Sequence, residues 1–113
     1  MNLIFNVLPK KNRLSRQEIE EIKKRRLAIF QSKSFGLASW KQKGEKKFAL
    51  IISAKIAKKA TERNKVRRRF FRAIEESFWK TEGRFLFLAK KPILNMDVED
   101  LKKEIEYLEE KIY

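Results

Sequence analysis

The first apolar pattern in the chain is a short helical stripe. Ser15 is followed three residues later by Glu18, which is the spacing of a capping box, where each side chain binds the other residue's backbone N–H. Ile19, Ile22 and Leu27 then recur at intervals that place them on one side of a helix. The pattern predicts a helix that begins directly after Ser15 and buries these three side chains.

Two strand-like runs follow this helix, over residues 34–40 and 47–54. The polar link between them, residues 41–45, has five residues and one glycine, so we expect the two strands to form a hairpin. The run 48–52 is continuously apolar, which is typical of a central strand that is covered on at least part of both faces.

The second half of the chain contains a long helical pattern, a third strand and a last helix. We expect the long helix over residues 58–80, the strand over residues 84–89, and a helix that opens at residues 95–97, where acidic residues suit the positive end of the helix dipole. Three glycines and two prolines provide no linker, so residues 1–113 are predicted to form a single domain. The predicted fold class is α+β, a small mixed sheet packed against helices in the order α-β-β-α-β-α, with one further edge strand not assigned to a segment.

The long helix separates an apolar face from a basic one. At about 100° per residue, one arc collects apolar and small side chains and the opposite arc collects basic ones. Arg63 and Arg67 fall on the apolar side, where Arg67 would extend along Phe70 and Phe71 to expose its guanidinium. The predicted buried arc contains Val66, Phe70, Phe71, Ala73, Ile74, Ser77 and Phe78, and the predicted basic arc contains Lys65, Arg68, Arg69 and Arg72.

The net charge of the chain and its distribution indicate the class of partner that the protein binds. The chain carries a net charge of +14, of which +8 lies in residues 51–72 alone, and residues 73–113 are mildly acidic. Such a charge repels itself unless a polyanion neutralises it. A solvated helix face usually mixes both signs, whereas this helix has no acid between Glu62 and Glu75, so we expect it to contact phosphates.

The composition excludes most side-chain catalysis. The chain has no histidine and no cysteine, which removes thiol nucleophiles, catalytic triads, disulfides and the usual zinc ligands. The acids of the last helix, Glu99, Asp100, Glu104 and Glu106, are expected to form a solvated face and not a metal site. We therefore predict no catalytic residue and no metal ligand on this chain.

The polyanion is expected to be nucleic acid in the cytoplasm. No apolar stretch approaches the roughly 20 residues that span a bilayer, and the apolar run at residues 3–5 is too short for the core of a signal peptide. A membrane-surface helix would need Phe70, Phe71 and Ile74, which the core requires. A DNA-recognition helix is disfavoured because strands flank the basic helix, and because an arginine-rich face suits phosphates better than bases.

Three segments of the chain together resemble one known protein family. The run 63–68, Arg-Asn-Lys-Val-Arg-Arg, preceded by Ser-Ala-Lys-Ile-Ala-Lys-Lys-Ala at 53–60, resembles the arginine-asparagine-arginine signature of the bacterial ribonuclease P protein subunit. Residues 8–14, Leu-Pro-Lys-Lys-Asn-Arg-Leu, resemble its N-terminus, and residues 85–92, Phe-Leu-Phe-Leu-Ala-Lys-Lys-Pro, resemble the strand before its last helix. The resemblance covers nearly the whole chain.

The resemblance implies an RNA-based endonuclease in which this chain is the protein subunit. A catalytic RNA with its magnesium ions would remove the 5′ leader of precursor tRNA, and the two RNAs would be the partners, with neither a membrane nor a small-molecule substrate. The fold implied is an α+β sandwich with a left-handed β-α-β crossover. Asn64 would contact RNA or, alternatively, help to start the helix. The residues implied to bind the RNA subunit are Lys55, Lys58, Lys59, Arg63, Asn64, Lys65, Arg67, Arg68 and Arg72.

A second implied site is a cleft between the first helix and the sheet, which takes the single-stranded leader. Phe35 and Trp40 lie on opposite faces of one strand, and we favour Phe35 for the core and Trp40 for the cleft. Ala38 and Phe71 depart from the family, which has an aromatic and a basic residue there. The candidate leader-binding residues are Arg13, Ile19, Ile22, Phe35 and Trp40.

The alternative function is that of a ribosomal or general RNA-binding protein with no role in processing. Such proteins also carry basic helices on small α+β folds, but they would lack the three ordered matches.

Overall fold

The computed structural model describes residues 8–77 and 79–112, and all structural statements below concern these residues. Within these ranges, three α-helices, four strands and two 3-10 helices follow one another. The α-helices are α1 (Arg16–Lys24), α2 (Ala60–Glu76) and α3 (Val98–Lys111), and the 3-10 helices are Lys10–Asn12 and Lys91–Asn95. The strands are β1 (Ile29–Gln31), β2 (Phe35–Lys41), β3 (Lys46–Ile51) and β4 (Gly83–Ala89).

The α+β class and the mixed sheet are confirmed. The four strands lie in the order β1-β2-β4-β3, with β1 antiparallel to β2, β2 antiparallel to β4, and β3 parallel to β4. The parallel pair is joined through α2, which gives the β-α-β crossover, while its left-handedness stays a prediction. The short strand β1 is the additional edge strand, so the order along the chain is α-β-β-β-α-β-α.

The predicted hairpin is wrong, because β4 lies between β2 and β3. Strands two places apart are about 10 Å from each other, which residues 42–45 span easily. The link crosses the start of β4, where the Gly83 N–H donates to the Glu45 carbonyl over 2.6 Å. β4 takes the central place because both of its faces are apolar, with Phe85 and Phe87 on one side and Leu86 on the other.

β3 is therefore an outer strand and not the central one. Its apolar run is still buried on both faces, since Phe48 and Leu50 pack in the main core and Ala49 packs on the opposite side. The N-terminal segment covers part of its outer edge. The Leu14 N–H donates to the Phe48 carbonyl over 2.9 Å, and the Asn12 side-chain amide donates to the Lys46 carbonyl over 2.9 Å.

The sheet separates two unequal hydrophobic layers. The larger layer lies between the sheet and the helices α2 and α3, and it contains an aromatic cluster with edge-to-face and stacked rings at centroid distances of 4.9–6.0 Å. The smaller layer lies under α1, where Ile22 packs on Ala38, Ala49 and Leu86. The buried aromatic residues of the larger layer are Phe35, Phe48, Phe70, Trp79, Phe85 and Phe87.

The helix ends follow from capping and packing. The capping box of Ser15 and Glu18 is confirmed, and Asp97 with Asp100 forms a second one at α3. α2 ends at Glu76 and not at Lys80 as predicted, because Trp79 is buried against the sheet aromatics. The predicted buried position Phe78 lies outside the described residues.

Glu109 fixes the segment between α2 and β4. Its Oε2 accepts hydrogen bonds from the backbone N–H groups of Lys80 and Thr81, at 2.7 and 2.9 Å, and from the Thr81 hydroxyl at 3.0 Å. This carboxylate replaces the helical partners that the chain loses where it turns towards β4.

Candidate nucleic-acid interface

The basic arc of α2 is exposed for most of its length. The side chains of Lys65, Arg68 and Arg72 are exposed, and within the described residues only Arg72 is ion-paired, to Glu76 at 3.0 Å. Arg69 departs from the predicted arc. It is half-buried and donates to the Leu94 carbonyl over 3.3 Å, because the 3-10 helix Lys91–Asn95 packs beside it.

The segment before α2 presents further cations. Lys55, Lys58 and Lys59 are exposed, and Asn64 is exposed inside the helix, so its alternative role at the helix start is wrong: Lys59 is the N-cap residue. Arg63 is half-buried and donates to the carbonyls of Ala57 and Lys58 at 2.8 and 2.9 Å. Arg63 thus holds the turn that positions these lysines.

Arg67 lines a groove at the outer edge of β3. The groove measures about 320 Å³ and lies between α2, β3 and the start of α1. Among the described residues that line it, two are cationic, Arg13 and Arg67, and none is acidic, and the floor is apolar. The apolar lining includes Phe71, which is half-buried, as the wheel placed it. The other lining residues are Leu14, Ile19, Phe48, Ala49, Leu50, Ile51 and Ile52.

The structure divides the five candidate leader-binding residues. Phe35 is fully buried between Phe70 and Phe87, and Ile22 is 2% exposed, so neither presents a side-chain surface to RNA. Both belong to the packing of the two layers. Arg13 is exposed, and Ile19 and Trp40 are half-buried.

The face of the sheet under α1 is covered only in part. Ile22 covers the row formed by Ala38, Leu86 and Ala49, while Leu88 and Ile51 in the next row are half-buried. Gly36 belongs to that outer row. A Cβ atom on Gly36 would lie 2.9 Å from Cγ2 of Ile29 and 3.1 Å from Oε1 of Gln31, so these side chains already cover the Gly36 position. The outer row forms a shallow apolar floor beside α1.

An ionic network fixes α1 across the other end of this face. Glu18 of α1 accepts a hydrogen bond from Nζ of Lys47 at 2.7 Å and lies 3.4 Å from Arg84. The Nε–H of Arg84 donates a hydrogen bond to the Glu45 carboxylate over 2.7 Å, and the Glu21 carboxylate lies 3.5 Å from the same guanidinium. The network joins α1 to β3 and β4 beside Trp40.

The network shifts the pKa of Glu18. Burial acts to raise this pKa, but the hydrogen bonds from Lys47 and from Ser15 outweigh it and lower the pKa from 4.5 to about 2. The same hydrogen bond raises the pKa of Lys47, and the hydrogen bond to Glu45 raises the pKa of Arg84. All three groups therefore stay ionised at neutral pH.

Acid is expected to weaken the attachment of α1. Because the pKa of Glu18 is lower in the folded state, its contribution to stability is complete above pH 4.5 and is lost as the pH falls towards 2. Allowing for solvent screening, we expect Glu18→Gln to lower the free energy of unfolding by about 1–2 kcal/mol at pH 7 and by almost nothing near pH 2. Urea unfolding at the two pH values measures this. Glu20→Gln, at an exposed position, is the control, and a loss for Glu18→Gln that does not change with pH would contradict the assignment.

The structure gives no reason to place a metal on the acids of α3. Within the described residues, no group of three or more potential metal-ligating side chains comes together. Glu104 instead accepts hydrogen bonds from the hydroxyls of Ser32 and Ser34 and from the Ser34 N–H, at 2.7–3.0 Å. This acid therefore anchors the turn between β1 and β2.

Three residues of this interface have no signal in the sequence. Arg25, Lys47 and Arg84 contact partners on other elements, and those contacts depend on strand register and on the crossing of α1. Across the described residues, no helix is both long enough and apolar enough to cross a membrane.

Comparison with known structures supports the fold. The RNase P protein from Thermotoga maritima matches with a TM-score of 0.72 and 20% identity, covering 90% of this chain and 98% of that chain. The Staphylococcus aureus RNase P protein matches with a TM-score of 0.68 and 16% identity, over 92% and 96%. A S. aureus RNase P protein mutant with defective mRNA degradation activity matches with a TM-score of 0.73 and 19% identity, over 99% and 98%.

The family follows from the sequence match and the fold together. Comparison with curated protein sequences gives no match. The protein-family profile described as Ribonuclease P matches residues 8–113, which is nearly the whole chain. The chain therefore belongs to the ribonuclease P protein family.

Proposed function

We propose that this chain is the protein subunit of ribonuclease P and assists a catalytic RNA in removing the 5′ leader of precursor tRNA. Hydrolysis of the phosphodiester bond is assigned to the RNA and its magnesium ions. The composition supports this assignment, because a chain with no histidine and no cysteine has few groups for acid–base or nucleophilic chemistry. The proposed place of action is the bacterial cytoplasm.

The observation that carries the proposal is the unneutralised basic surface around α2. Lys58, Lys59, Lys65 and Arg68 are exposed and have no carboxylate partner within the part of the chain that the structure describes. Cations placed this closely repel one another along a helix, and RNA phosphates remove that repulsion while releasing counterions. This surface is proposed to bind the catalytic RNA.

The leader is proposed to lie on the α1 side of the sheet. There the groove with Arg13 and Arg67 continues towards the shallow floor of Ile51 and Leu88. Cations beside an apolar surface suit a single strand, whose phosphates and bases are both accessible, better than a duplex, whose bases are paired inside. The groove is thus proposed to connect the surface for the catalytic RNA with the surface for the leader.

Cleavage of a precursor tRNA at low magnesium concentration tests the proposal. The reaction is run with the catalytic RNA of the same organism alone, with the protein alone, and with both. We expect cleavage at the mature 5′ end only in the mixture, because the protein's charge replaces part of the magnesium that holds the RNAs together. A mixture no more active than the RNA alone would refute the proposal and favour a ribosomal or general RNA-binding role.

A further inference from the structure

We propose that Arg25 is a phosphate-binding residue for single-stranded RNA and that Trp40 holds it in position. This inference rests on the proposed leader site and adds to it a second phosphate contact, beyond the groove of Arg13 and Arg67. Arg25 is the C-cap residue of α1, and the carbon of its guanidinium lies 3.6 Å from the centroid of the Trp40 ring. That distance is van der Waals contact, so the guanidinium covers this face of the indole.

Two guanidinium groups lie near the indole, and only one has carboxylate partners. Arg84, whose guanidinium carbon is 5.0 Å from the ring centroid, contacts Glu18, Glu21 and Glu45 within 3.5 Å. Arg25 is exposed and forms no ion pair with any residue that the structure describes. Of the two guanidinium groups at the indole, that of Arg25 is therefore the one available to an anion.

Stacking prepares Arg25 to bind an anion. A guanidinium has five N–H donors in its own plane, and contact with the indole uses the flat face and leaves those donors at the edges. Two parallel N–H groups match two oxygens of a phosphate. Because the indole already restricts the side chain, binding loses less conformational entropy than it would with a mobile arginine.

The position of Arg25 favours a single RNA strand as the ligand. α1 has nine residues and is therefore about 14 Å long, with Arg13 and the groove near its first turn and Arg25 at its end. The half-buried apolar floor of Ile51 and Leu88 lies alongside α1, on the other side of the Ala38 row from Trp40. A strand that leaves the groove and follows α1 to its end places phosphates at both cationic ends, so Arg25 binds leader nucleotides more distant from α2 than the groove does.

Trp40 acts through Arg25 and is thus a positioning residue. Its ring is half-buried on the sheet, and Arg25 covers one face at contact distance. A nucleobase would have to displace the guanidinium to stack there. The two side chains therefore act as one unit, which predicts that their substitutions are not additive.

The test measures equilibrium binding of precursor tRNA to the holoenzyme, using one substrate with a long leader and one with the leader cut close to the cleavage site. We expect Arg25→Ala to weaken binding of the long-leader substrate about tenfold, as for loss of a charge-assisted hydrogen bond, and to lower the salt-dependence slope by about 0.7. Binding of the short-leader substrate should not change. Lys24→Ala, an exposed change of the same charge in the same helix, should leave both substrates unaffected.

The role of Trp40 is tested by a double-mutant cycle. Trp40→Ala should weaken long-leader binding as much as Arg25→Ala, and the double variant should be no weaker than either. Trp40→Phe, which keeps an aromatic face on the sheet, should retain most of the affinity, whereas Arg25→Lys should not, because an ammonium group does not bind bidentately.

The possible failures are distinguishable. If the wild-type holoenzyme binds both substrates equally, the proposed leader site fails. If it prefers the long leader and Arg25→Ala behaves like Lys24→Ala, the leader site stands and the role of Arg25 is refuted. Additive losses from Arg25→Ala and Trp40→Ala would refute the positioning role of Trp40.

Discussion

Replacing Arg67 and Arg68 together by alanine is expected to weaken binding of the catalytic RNA about 100-fold. Arg68 is exposed on the basic arc, and Arg67 lines the groove beside it. Each change removes one charge-assisted hydrogen bond to a phosphate, which corresponds to about tenfold in affinity. The slope of log K against log salt concentration should become shallower by about two, one for each phosphate that the protein no longer neutralises. Equilibrium binding over a salt series measures both quantities.

A matched variant separates direct binding from net charge. Lys103→Ala with Lys111→Ala removes the same charge from exposed positions on α3. If α2 contacts the RNA directly, this control should reduce affinity only slightly and leave the salt slope nearly unchanged, because distant charges are screened. Equal losses for the two double variants would mean that RNA responds to the overall field of the protein and not to α2.

The sequence predicted the buried and basic faces of α2 better than the residue at the border between them. Val66, Phe70 and Ile74 are buried because helical periodicity alone decides which residues share a side. Arg69 lies at the border of the two faces, where the 3-10 helix Lys91–Asn95 covers it. A helical wheel contains no neighbouring element, so the partial burial of a border residue does not follow from it.

Strand pairing was the weakest part of the prediction, for a physical reason. Alternation and apolar runs indicate which residues face a core, and they located β2, β3 and β4 to within a few residues. They contain no information on which strands are adjacent. A short polar link is compatible with a hairpin and equally with a connection that passes one intervening strand, and here β4 intervenes.

In the candidate interface, too, local features were predicted and contacts between distant residues were not. The capping box of Ser15 and Glu18 follows from local spacing and was predicted. The stacking of Arg25 on Trp40 and the ion pairs of Arg84 join residues that are distant in sequence, so they depend on where α1 crosses the sheet. Local chemistry is thus readable from one sequence, and chemistry assembled between elements requires the fold.

Gly83→Ala is expected to have the largest effect on stability among single substitutions in the loop and strand ends. Gly83 has a φ of 141°, which side-chain-bearing residues rarely adopt, and an added Cβ would lie 2.5 Å from the Trp40 carbonyl oxygen and 2.8 Å from Cα of Lys41. Both neighbours are backbone atoms at the end of β2, which pairs with the start of β4, so they cannot move without displacing that strand end. Strain and overlap together should lower the free energy of unfolding by about 3–5 kcal/mol.

Gly44→Ala, in the link between β2 and β3, is the matched control for this prediction. Gly44 also has a positive φ, of 90°, but nothing lies within 4 Å of its added Cβ, so only the backbone strain applies and the expected loss is about 1 kcal/mol. Thermal unfolding should show a decrease in melting temperature of about 12 °C or more for Gly83→Ala and a few degrees for Gly44→Ala. Equal decreases would mean that the end of β2 can move away from Gly83. Such a result would contradict the close approach of β2 to the start of β4, because that approach distinguishes the two glycines.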